Sequence, residues 1–274
     1  MRVRWTLFGL FGLLLCLALI LSAGCAGGLP GVDEDPADGS PGDNTPVDDP
    51  PADDPPDGGS SGGSSCVDIP GGTTYLSHVL LDGTDVLRFT KSTITVSMDT
   101  TNTPTGWKPE YAQYVRDSMA AWQTGSRGAY SFQEVSSGAD ITISWVDSLG
   151  DDTTGITEHV IVGEEFFAPL MKMAMDASGG RLPDSEIEAT TIHEFGHALG
   201  MMGHSPNVSD VMWASSTALS LTANDQQTLL DLYCRPADIT QSLARTRAVP
   251  EGARIIRQER HLGGCCEAHV VDVH

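Results

Sequence analysis

Apolar and polar residues alternate along several segments between residues 79 and 175, and this period of two predicts β-strands. The segment TITVSM at Thr93–Met98 alternates polar and apolar residues in the way that half-buried strands do. A β-branched or alternating character also predicts strands at Val79–Phe89, Tyr130–Val135, Ala139–Val146 (ADITISWV), Ile156–Val162 (ITEHVIV) and Met171–Met175.

A different period, that of an α-helix, follows the second of these strands. Pro109 suits the first turn of a helix at Pro109–Thr124, because the first turn has no intrahelical partner for the N–H that proline lacks. One stripe of this helix is apolar and is predicted to face the core: Tyr111, Val115, Met119 and Trp122.

Two capping signals predict where further helices begin. Ser185 and Glu188 have the spacing of a capping box and predict a helix that starts just after Pro183. Leu221-Thr222, followed by Asp225, predicts the start of a closing helix that runs through Leu229, Leu230 and Tyr233.

The middle helix carries the chemistry of the chain, in the sequence HEFGHALGMMGH at residues 193–204. His193 and His197 are four residues apart and therefore return to one face of the helix, one turn from each other. Two neutral imidazoles in this arrangement can bind one Zn²⁺, and Glu194 beside them is a candidate general base.

A third imidazole follows a glycine. Gly200 comes after the last helical turn, where a residue without a Cβ can take the left-handed conformation and turn the chain. The chain then reaches His204, which is predicted to complete a set of three ligands. A fourth position that stays open for water is what a catalytic zinc site requires.

HEFGHALG, followed by His204-Ser205 and then by Met212, resembles the metzincin metallopeptidases, and within them the matrixins. The resemblance implies that His193, His197 and His204 bind zinc, that Glu194 is the general base and that Met212 forms the methionine turn beneath the metal. This chain departs from the family pattern at Gly203, which stands where the third histidine usually falls, so that His204 comes one residue late. Trp213-Ala214 also replaces the usual continuation after the methionine.

The same resemblance implies an α+β fold with a twisted mixed β-sheet, an active-site helix and a C-terminal helix. It implies a zinc-dependent endopeptidase that hydrolyses peptide bonds of protein substrates, as a monomer. Ile156–Val162 is then the candidate edge strand that pairs with an extended substrate. Structural calcium, which the family often carries, is a further expectation at Asp147, Asp151 and Asp152.

Other interpretations of the motif stay open at this point. In one, the metal site is completed by a downstream acidic ligand such as Asp210 in an enzyme of another lineage. In another, the protein is a catalytically weak or inactive zinc-binding surface lipoprotein with an adhesive role. A purely structural zinc site is disfavoured, because such sites use four protein ligands and only three are evident.

Residues 1–25 have the features of an export signal. Arg2 and Arg4 precede the apolar run Leu7–Leu21, and small residues lead to Cys25. The sequence LSAGC resembles a bacterial lipobox, which predicts that Cys25 is lipidated and that the protein is an exported, membrane-anchored lipoprotein of the cell envelope. Free secretion is the alternative, and a permanent transmembrane helix is a second choice, because the apolar run is shorter than the ~20 residues of a bilayer span.

Residues 26–65 are almost entirely Gly, Pro, Ser and Asp, and predict a disordered acidic linker. Such residues bury too little apolar surface to offset the ~1–2 kcal/mol per residue that backbone ordering costs. The whole chain has a formal charge of −22. This acidity argues against nucleic acid as a partner, because its phosphates would be repelled.

The cysteines outside the export signal are Cys66, Cys234, Cys265 and Cys266. Cys66 and Cys234 bracket the predicted peptidase domain, residues 66–240, so a disulfide between them would join its ends, although other pairings are possible. The tail, residues 241–274, ends in HLGGCCEAHVVDVH, whose Cys265-Cys266 pair could bind a soft metal or reach the catalytic zinc. The alternative is an exposed tail with a vicinal or intermolecular disulfide.

Overall fold

The computed structural model describes residues 66–242, 249, 251–263 and 268–272 of the 274. The helices are a 3-10 turn at Leu76–His78, α1 (Pro109–Gly125), α2 (Asp184–Ala198) and α3 (Ala223–Cys234). The strands are β1 (Leu87–Arg88), β2 (Thr93–Met98), β3 (Ser131–Glu134), β4 (Ile141–Ser148), β5 (Thr153–Val162), β6 (Glu165–Phe166), β7 (Leu170–Ala177), β8 (Gly180–Arg181), β9 (Ile239–Gln241), β10 (Arg254–His261) and β11 (Ala268–Asp272). In this part of the chain, no helix combines the length and the apolar character needed to cross a membrane.

The strands form one mixed sheet, whose central part has the order β3, β2, β4, β7, β5. β2 is parallel to β3 and β4, and β4 is parallel to β7, whereas β5 is antiparallel to β7. α2 packs on β5 and β7, and α1 packs on α2. The helix with the HEFGHALG motif therefore lies against the antiparallel side of the sheet. This α+β arrangement confirms the predicted fold class.

The strand predictions are confirmed at five of six segments, four of them with shifted ends and Thr93–Met98 without change. The sixth prediction, a strand at Val79–Phe89, is wrong, because only Leu87–Arg88 is a strand. Asp82 and Gly83 both have left-handed backbone, with φ of 51° and 78°. They form a tight turn that an isolated bridge between Leu81 and Asp85 closes, and the turn interrupts the extended chain.

The helix predictions differ in how well their starts were placed. α1 begins at Pro109 as predicted, and its apolar stripe is buried under α2, where the Trp122 indole N–H donates to the carbonyl of Ile192 at 2.9 Å. α3 begins just after Thr222 as predicted, and a capping box forms there, with the Thr222 hydroxyl and the Asp225 carboxylate each accepting from the other's backbone. These two starts are set by local chemistry, so the sequence was sufficient to locate them.

The predicted capping box of α2 is wrong. The helix begins at Asp184, so Pro183 takes the capping position and makes no side-chain cap, and Ser185 already lies inside the first turn. The Asp184 carboxylate is held instead by the Lys108 ammonium at 2.6 Å and the Tyr111 hydroxyl at 2.9 Å. The helix thus starts just after Pro183, as predicted, but without the predicted capping box.

The tail contains two strands, although it was expected to be exposed. β10 and β11 form an antiparallel hairpin, and β10 is antiparallel to β5 from Thr153 to Ile161. Gly155–Glu158 also pair with β7, so β10 must lie on the opposite side of β5. The prediction that Ile156–Val162 is an edge strand is therefore wrong for the intact chain, because β10 covers the edge that the rest of the sheet would leave free.

The disulfide between Cys66 and Cys234 is present and joins residues 168 positions apart in the sequence. It fixes the segment before the sheet to the end of α3, where the Ile69 N–H also donates to the Gln227 side chain at 2.6 Å. Native disulfides commonly contribute about 2–5 kcal/mol to the free energy of unfolding of small domains. Cys25, Cys265 and Cys266 lie outside the described residues.

Candidate active site

The end of α2 turns the chain so that residues beyond the helix can return to its histidines. Gly200 has a φ of 106°, its N–H donates to the carbonyl of His197 at 2.9 Å, and the N–H of Met201 donates to the carbonyl of Gly196 at 3.1 Å. These two hydrogen bonds are the Schellman arrangement that ends many helices. A Cβ at Gly200 would also collide with the carbonyl oxygen of Leu87, so both the conformation and the space require glycine.

The third histidine comes one residue late because of a close backbone contact. Gly203 passes so close to His78 that a Cβ at this position would collide with the His78 carbonyl oxygen. The Met202 N–H donates to the carbonyl of Val79 at 2.8 Å and fixes this approach. Position 203 therefore has no room for a side chain, and the following residue, His204, is the one that faces α2.

The structure brings His193, His197 and His204 together. Their ligand atoms all lie within 4.8 Å of one another, and the ring centroids are 4.8 to 5.3 Å apart. Among the described residues, this is the only group of three or more His, Cys, Asp or Glu side chains close enough to hold a metal ion. Two of the rings are fully buried, and the third is partly buried.

Two backbone carbonyls orient the helical imidazoles. His193 Nδ1 lies 2.7 Å from the carbonyl oxygen of Val211, and His197 Nδ1 lies 2.6 Å from that of Met201. A carbonyl accepts only, so each Nδ1 carries the proton, and each Nε2 of the neutral ring presents a lone pair. The two Nε2 atoms are 3.1 Å apart, which places two lone pairs face to face.

This arrangement fits a metal ion with a preference for imidazole. A cation between the Nε2 atoms would relieve the repulsion of the two lone pairs, and His204 Nε2 is a buried nitrogen that has no hydrogen-bond partner among the described residues. Burial lowers the pKa of His193 and His197 well below the ordinary value, and it lowers the pKa of His204 to about 4. All three rings are therefore neutral at pH 7, as metal ligands must be.

Glu194 lies between these histidines and β5. The Thr157 hydroxyl donates to Glu194 Oε2 at 2.6 Å, whereas Oε1 is buried and has no hydrogen-bond partner among the described residues. Burial raises the pKa of Glu194 to about 8, against the hydrogen bond from Thr157 and the positive charge of Arg260, which both lower it. A divalent cation beside the carboxylate would act in the same direction as Thr157 and Arg260 and would bring the pKa of Glu194 down from this raised value.

Met212 lies beneath the histidines, and a buried carboxylate holds its turn in place. The Met212 sulfur lies against Gly196 on the underside of α2, and the methionine is fully buried. The Asp225 carboxylate, at the start of α3, accepts from the backbone N–H of Val211 at 2.9 Å and, with longer geometry, from that of Met212 at 3.4 Å. Since the carbonyl of Val211 orients His193, α3 helps to position the metal site.

Asp210 lies near the site but is not one of the grouped ligands. Its carboxylate accepts from the Ser205 hydroxyl at 2.5 Å and the Thr222 hydroxyl at 2.7 Å, and the Asn224 amide is also within reach. These bonds, together with the Ser205 N–H that donates to the Met212 carbonyl at 2.8 Å, close the loop between the third histidine and the methionine. The interpretation of Asp210 as a metal ligand is therefore wrong.

The calcium expectation is not supported either. Asp147, Asp151 and Asp152 do not form a ligand group, and the Asp152 carboxylate accepts a hydrogen bond from the Ser178 hydroxyl. The expectation rested on the family resemblance and on the clustering of acidic residues, and such clustering is also typical of a solvated loop.

The fold and the site define a metallopeptidase-type hydrolase. The matrixin family model matches residues 88–234, which is more than half of the chain, and the protein belongs to the matrixin family. Among solved structures, that of myroilysin aligns with 53% of this chain and 94% of its own, at 18% identity and a TM-score of 0.35. No curated protein matches the chain.

Several residues around the site were not identified from the sequence. Thr157 and Asp225 act on the site through hydrogen bonds from distant elements, and His159 on β5 is a fully buried histidine near the end of α2. Arg260 and Glu186 form a buried ion pair beside Glu194. A Thr, an Asp or an Arg within a strand or helix carries no local signal of such a contact, because the partner lies far away in the sequence.

His159 predicts a loss of stability in acid. Burial lowers its pKa to about 4, against a smaller opposite effect of the Ala198 backbone, and neither ring nitrogen has a well-formed hydrogen bond among the described residues. The unfolded chain, with an ordinary histidine pKa of about 6.5, therefore binds the proton first, and stability falls as the pH drops from about 6.5 towards 4. We expect His159 to lower the free energy of unfolding by about 2 kcal/mol at pH 5, relative to neutral pH.

The measurement is urea unfolding of the wild type and of His159→Phe at pH 7.5 and pH 5. Phe keeps an aromatic ring against Phe166 but does not titrate. We expect the difference in unfolding free energy between the two proteins to shift by about 2 kcal/mol in favour of the variant at pH 5. The other buried titratable groups contribute equally to the pH dependence of both proteins, so their contributions cancel in the difference. Among them is Glu194, whose raised pKa changes the free energy of unfolding in the opposite direction. A difference that is independent of pH would contradict the prediction.

Proposed function

We propose that this matrixin is a zinc-dependent endopeptidase that hydrolyses peptide bonds of protein substrates. In this proposal His193, His197 and His204 bind the zinc ion, and Glu194 is the general base. The observation that carries the proposal is the state of the Glu194 carboxylate. One oxygen is fixed by Thr157, and the other is buried and unpartnered, on the helix that carries two of the three imidazoles that fit a metal ion.

The residues of the chain have distinct tasks in this reaction. Zinc, when bound, supplies a Lewis acid that polarises the scissile carbonyl and makes water nucleophilic near neutral pH. The carbonyls of Val211 and Met201 keep the two helical imidazoles in the tautomer that presents Nε2. The free oxygen Oε1 of Glu194 accepts the proton of the attacking water and then passes it to the departing amine. Met212 supports the site from below without contacting substrate.

A catalytic role explains the buried carboxylate better than the zinc-binding surface lipoprotein that was the alternative. A buried carboxylate with an unpaired oxygen lowers stability, because desolvation of a charged group costs several kcal/mol unless it is paired. In a purely adhesive protein, no function would offset the loss of stability that the buried Glu194 carboxylate causes. A hydrolase needs the group within reach of the water that attacks its substrate.

The test of the proposal is metal analysis combined with a peptide digest, both on the intact protein. We expect about one zinc per chain by elemental analysis. We expect cleavage of a broad peptide library that stops when a chelator removes the metal and returns when zinc is added. Stoichiometric zinc without any cleavage after prolonged incubation would favour the binding-protein alternative instead.

We also propose that the protein is exported and anchored to a membrane by a lipid on Cys25. Residues 1–65 lie outside the described residues, so support comes only from the lipobox-like LSAGC after an apolar run and from the Pro, Gly, Ser and Asp composition of residues 26–65. We expect Cys25→Ser to move the protein from the membrane fraction to the soluble fraction. A variant that stays equally membrane-associated would rule out this anchor.

A further inference from the structure

The strand β10 lies across the catalytic glutamate. In its antiparallel register with β5, Arg260 pairs with Gly155 and Gln258 pairs with Thr157. Gly155 is so close to Glu194 that a Cβ there would come within 2.7 Å of Oε1, and Thr157 is the residue that donates to Oε2. The residues of β10 that pair with Gly155 and Thr157 therefore lie beside the proposed general base.

Arg260 fills a buried pocket next to Glu194. Its side chain is 1% exposed, and Nη1 donates to Glu186 Oε1 at 2.5 Å, Thr190 Oγ1 at 2.7 Å and Thr154 Oγ1 at 2.8 Å. Its Nη2 donates to the carbonyl of Ser216 at 2.5 Å. Both terminal nitrogens of the guanidinium group are thus supplied with acceptors, which come from α2, from β5 and from the loop after Met212, whereas Nε is buried and has no hydrogen-bond partner among the described residues.

The pocket that holds Arg260 lies on the same face of α2 as Glu194. Glu186, Thr190 and Glu194 are spaced by four residues each, so their side chains lie in one row along the helix. The row leads from the proposed general base to the carboxylate that binds Arg260. A substrate side chain that entered this pocket would place its backbone over Glu194.

The tail supplies none of the side-chain or backbone acceptors that bind the Arg260 guanidinium group. These acceptors all fall within residues 88–234, the part that the matrixin family model matches, whereas Arg260 comes from beyond it. A buried carboxylate such as Glu186 strongly requires a cationic partner, because a buried charge left alone costs several kcal/mol. If β10 moved away, the pocket would favour another guanidinium group.

A second side chain of β10 argues against a purely structural role for the strand. Gln258 is 1% exposed, and neither atom of its amide has a hydrogen-bond partner among the described residues. Because directly paired residues of an antiparallel sheet point to the same side, Gln258 shares the side of Thr157, the side of Glu194. A strand retained only for packing would not carry a buried, unpaired amide there, since a buried polar group without a hydrogen-bond partner is destabilising.

We propose that β10 is a built-in pseudosubstrate, which adds to β5 as an extended peptide does, and that the pocket beneath it selects substrates with an arginine beside the cleaved bond. This inference rests on the proposed peptidase function. Backbone pairing with a sheet edge supplies affinity in this mode of recognition, and a pocket for one side chain supplies specificity. The intact chain is then largely latent, and displacement of β10 exposes both the sheet edge and the pocket.

The first test is Arg260→Glu in the full chain, which places a second carboxylate opposite Glu186. Arg254→Glu is the matched control, because it makes the same charge change in the same strand at an exposed ion pair with Asp82. We expect Arg260→Glu to remove the hydrogen-exchange protection of residues 254–261 and to raise peptide turnover by roughly 30-fold or more. This factor corresponds to the lower bound of about 2 kcal/mol for the loss of one partner of a buried ion pair. The control should change neither.

The second test is the specificity of the released enzyme. We expect the sites that Arg260→Glu cleaves in a peptide library to carry arginine next to the bond, and we expect Glu186→Gln in the same background to lose most of the preference for arginine over norleucine. If Arg260→Glu does not fold, as judged by circular dichroism and zinc content, Arg260→Met removes the charge and keeps a side chain of similar length.

The outcomes separate this inference from the function on which it rests. Equal turnover of the wild type and Arg260→Glu, with zinc bound to both, would overturn the pseudosubstrate and leave the proposed peptidase standing. An arginine preference that survives Glu186→Gln would overturn the assignment of the pocket. An absence of turnover in every variant, with zinc bound and β10 released in the exchange experiment, would overturn both the inference and the proposed function.

Discussion

Replacement of Glu194 by Gln is expected to lower turnover by about 10²–10⁴-fold while zinc stays bound, because this factor is the usual contribution of general acid–base catalysis. Gln keeps the size of the side chain and an oxygen that can accept from the Thr157 hydroxyl at its present 2.6 Å position. It removes the proton acceptor, so the step in which water gives up its proton loses its base. The expected loss equals roughly 3–5 kcal/mol of transition-state stabilisation.

The measurement is kcat/KM on one cleaved peptide, together with zinc content, for the wild type and Glu194→Gln. Glu188→Gln is the matched control, because Glu188 lies on the same helix and points away from the three histidines. The comparison is repeated in the Arg260→Glu background, where the cleft is expected to be open and the dynamic range is larger. Wild-type turnover in Glu194→Gln, with contaminating protease excluded, would refute the role of Glu194 as the base.

Replacement of His204 by Ala is expected to weaken zinc binding by about 10²-fold or more. In zinc-finger peptides four ligands supply roughly 10–16 kcal/mol, so an equal share for one ligand is about 3 kcal/mol. The His204 ring is partly buried and offers a ring nitrogen that has no other partner among the described residues, so no other interaction compensates for its loss. Turnover should fall with zinc occupancy.

The measurement is zinc affinity by competition with a chelator, in the wild type, His204→Ala and His78→Ala. His78 lies beside the same loop but is exposed and outside the ligand group, so its removal should leave the affinity unchanged. Stoichiometric zinc in His204→Ala, at wild-type affinity, would show that the third ligand is another group. Such a result would mean that His204, which comes one residue late in the family pattern, does not take the place of the family's third histidine.

The sequence was sufficient wherever the determinant is local. Two histidines four residues apart face one side of a helix whatever surrounds them, and the capping box of Thr222 and Asp225 places the start of α3 by bonds between neighbours. Thr93–Met98 is a strand without adjustment, because its alternation already separates a buried from a partly exposed face. The family likeness concentrated around HEFGHALG and Met212 then indicated the matrixin family, to which the chain belongs.

Local sequence patterns could not predict features of the fold and the site that depend on contacts with a distant segment of the chain. Nothing near Ser185 indicates that Pro183 takes the capping position of α2 or that the carboxylate of Asp184 binds Lys108 and Tyr111, which lie more than 70 residues earlier in the chain. The register of His204 likewise depends on a collision that any side chain at position 203 would have with the backbone of His78. Both contacts join residues that are far apart in sequence, so no local pattern records them.

The grouping of His193, His197 and Glu194 could be anticipated from residue type and helical spacing, which are properties of a few adjacent residues, and the zinc-peptidase function that we propose rests on it. Which segments cover these residues is visible only in the folded chain. The coverage of β5 by β10, and the burial of Arg260 against Glu186, are long-range pairings between the tail and the catalytic domain. A strand such as RIIRQERH has no pattern that names its partner, because sheet pairing is decided by which edge the folded chain leaves open.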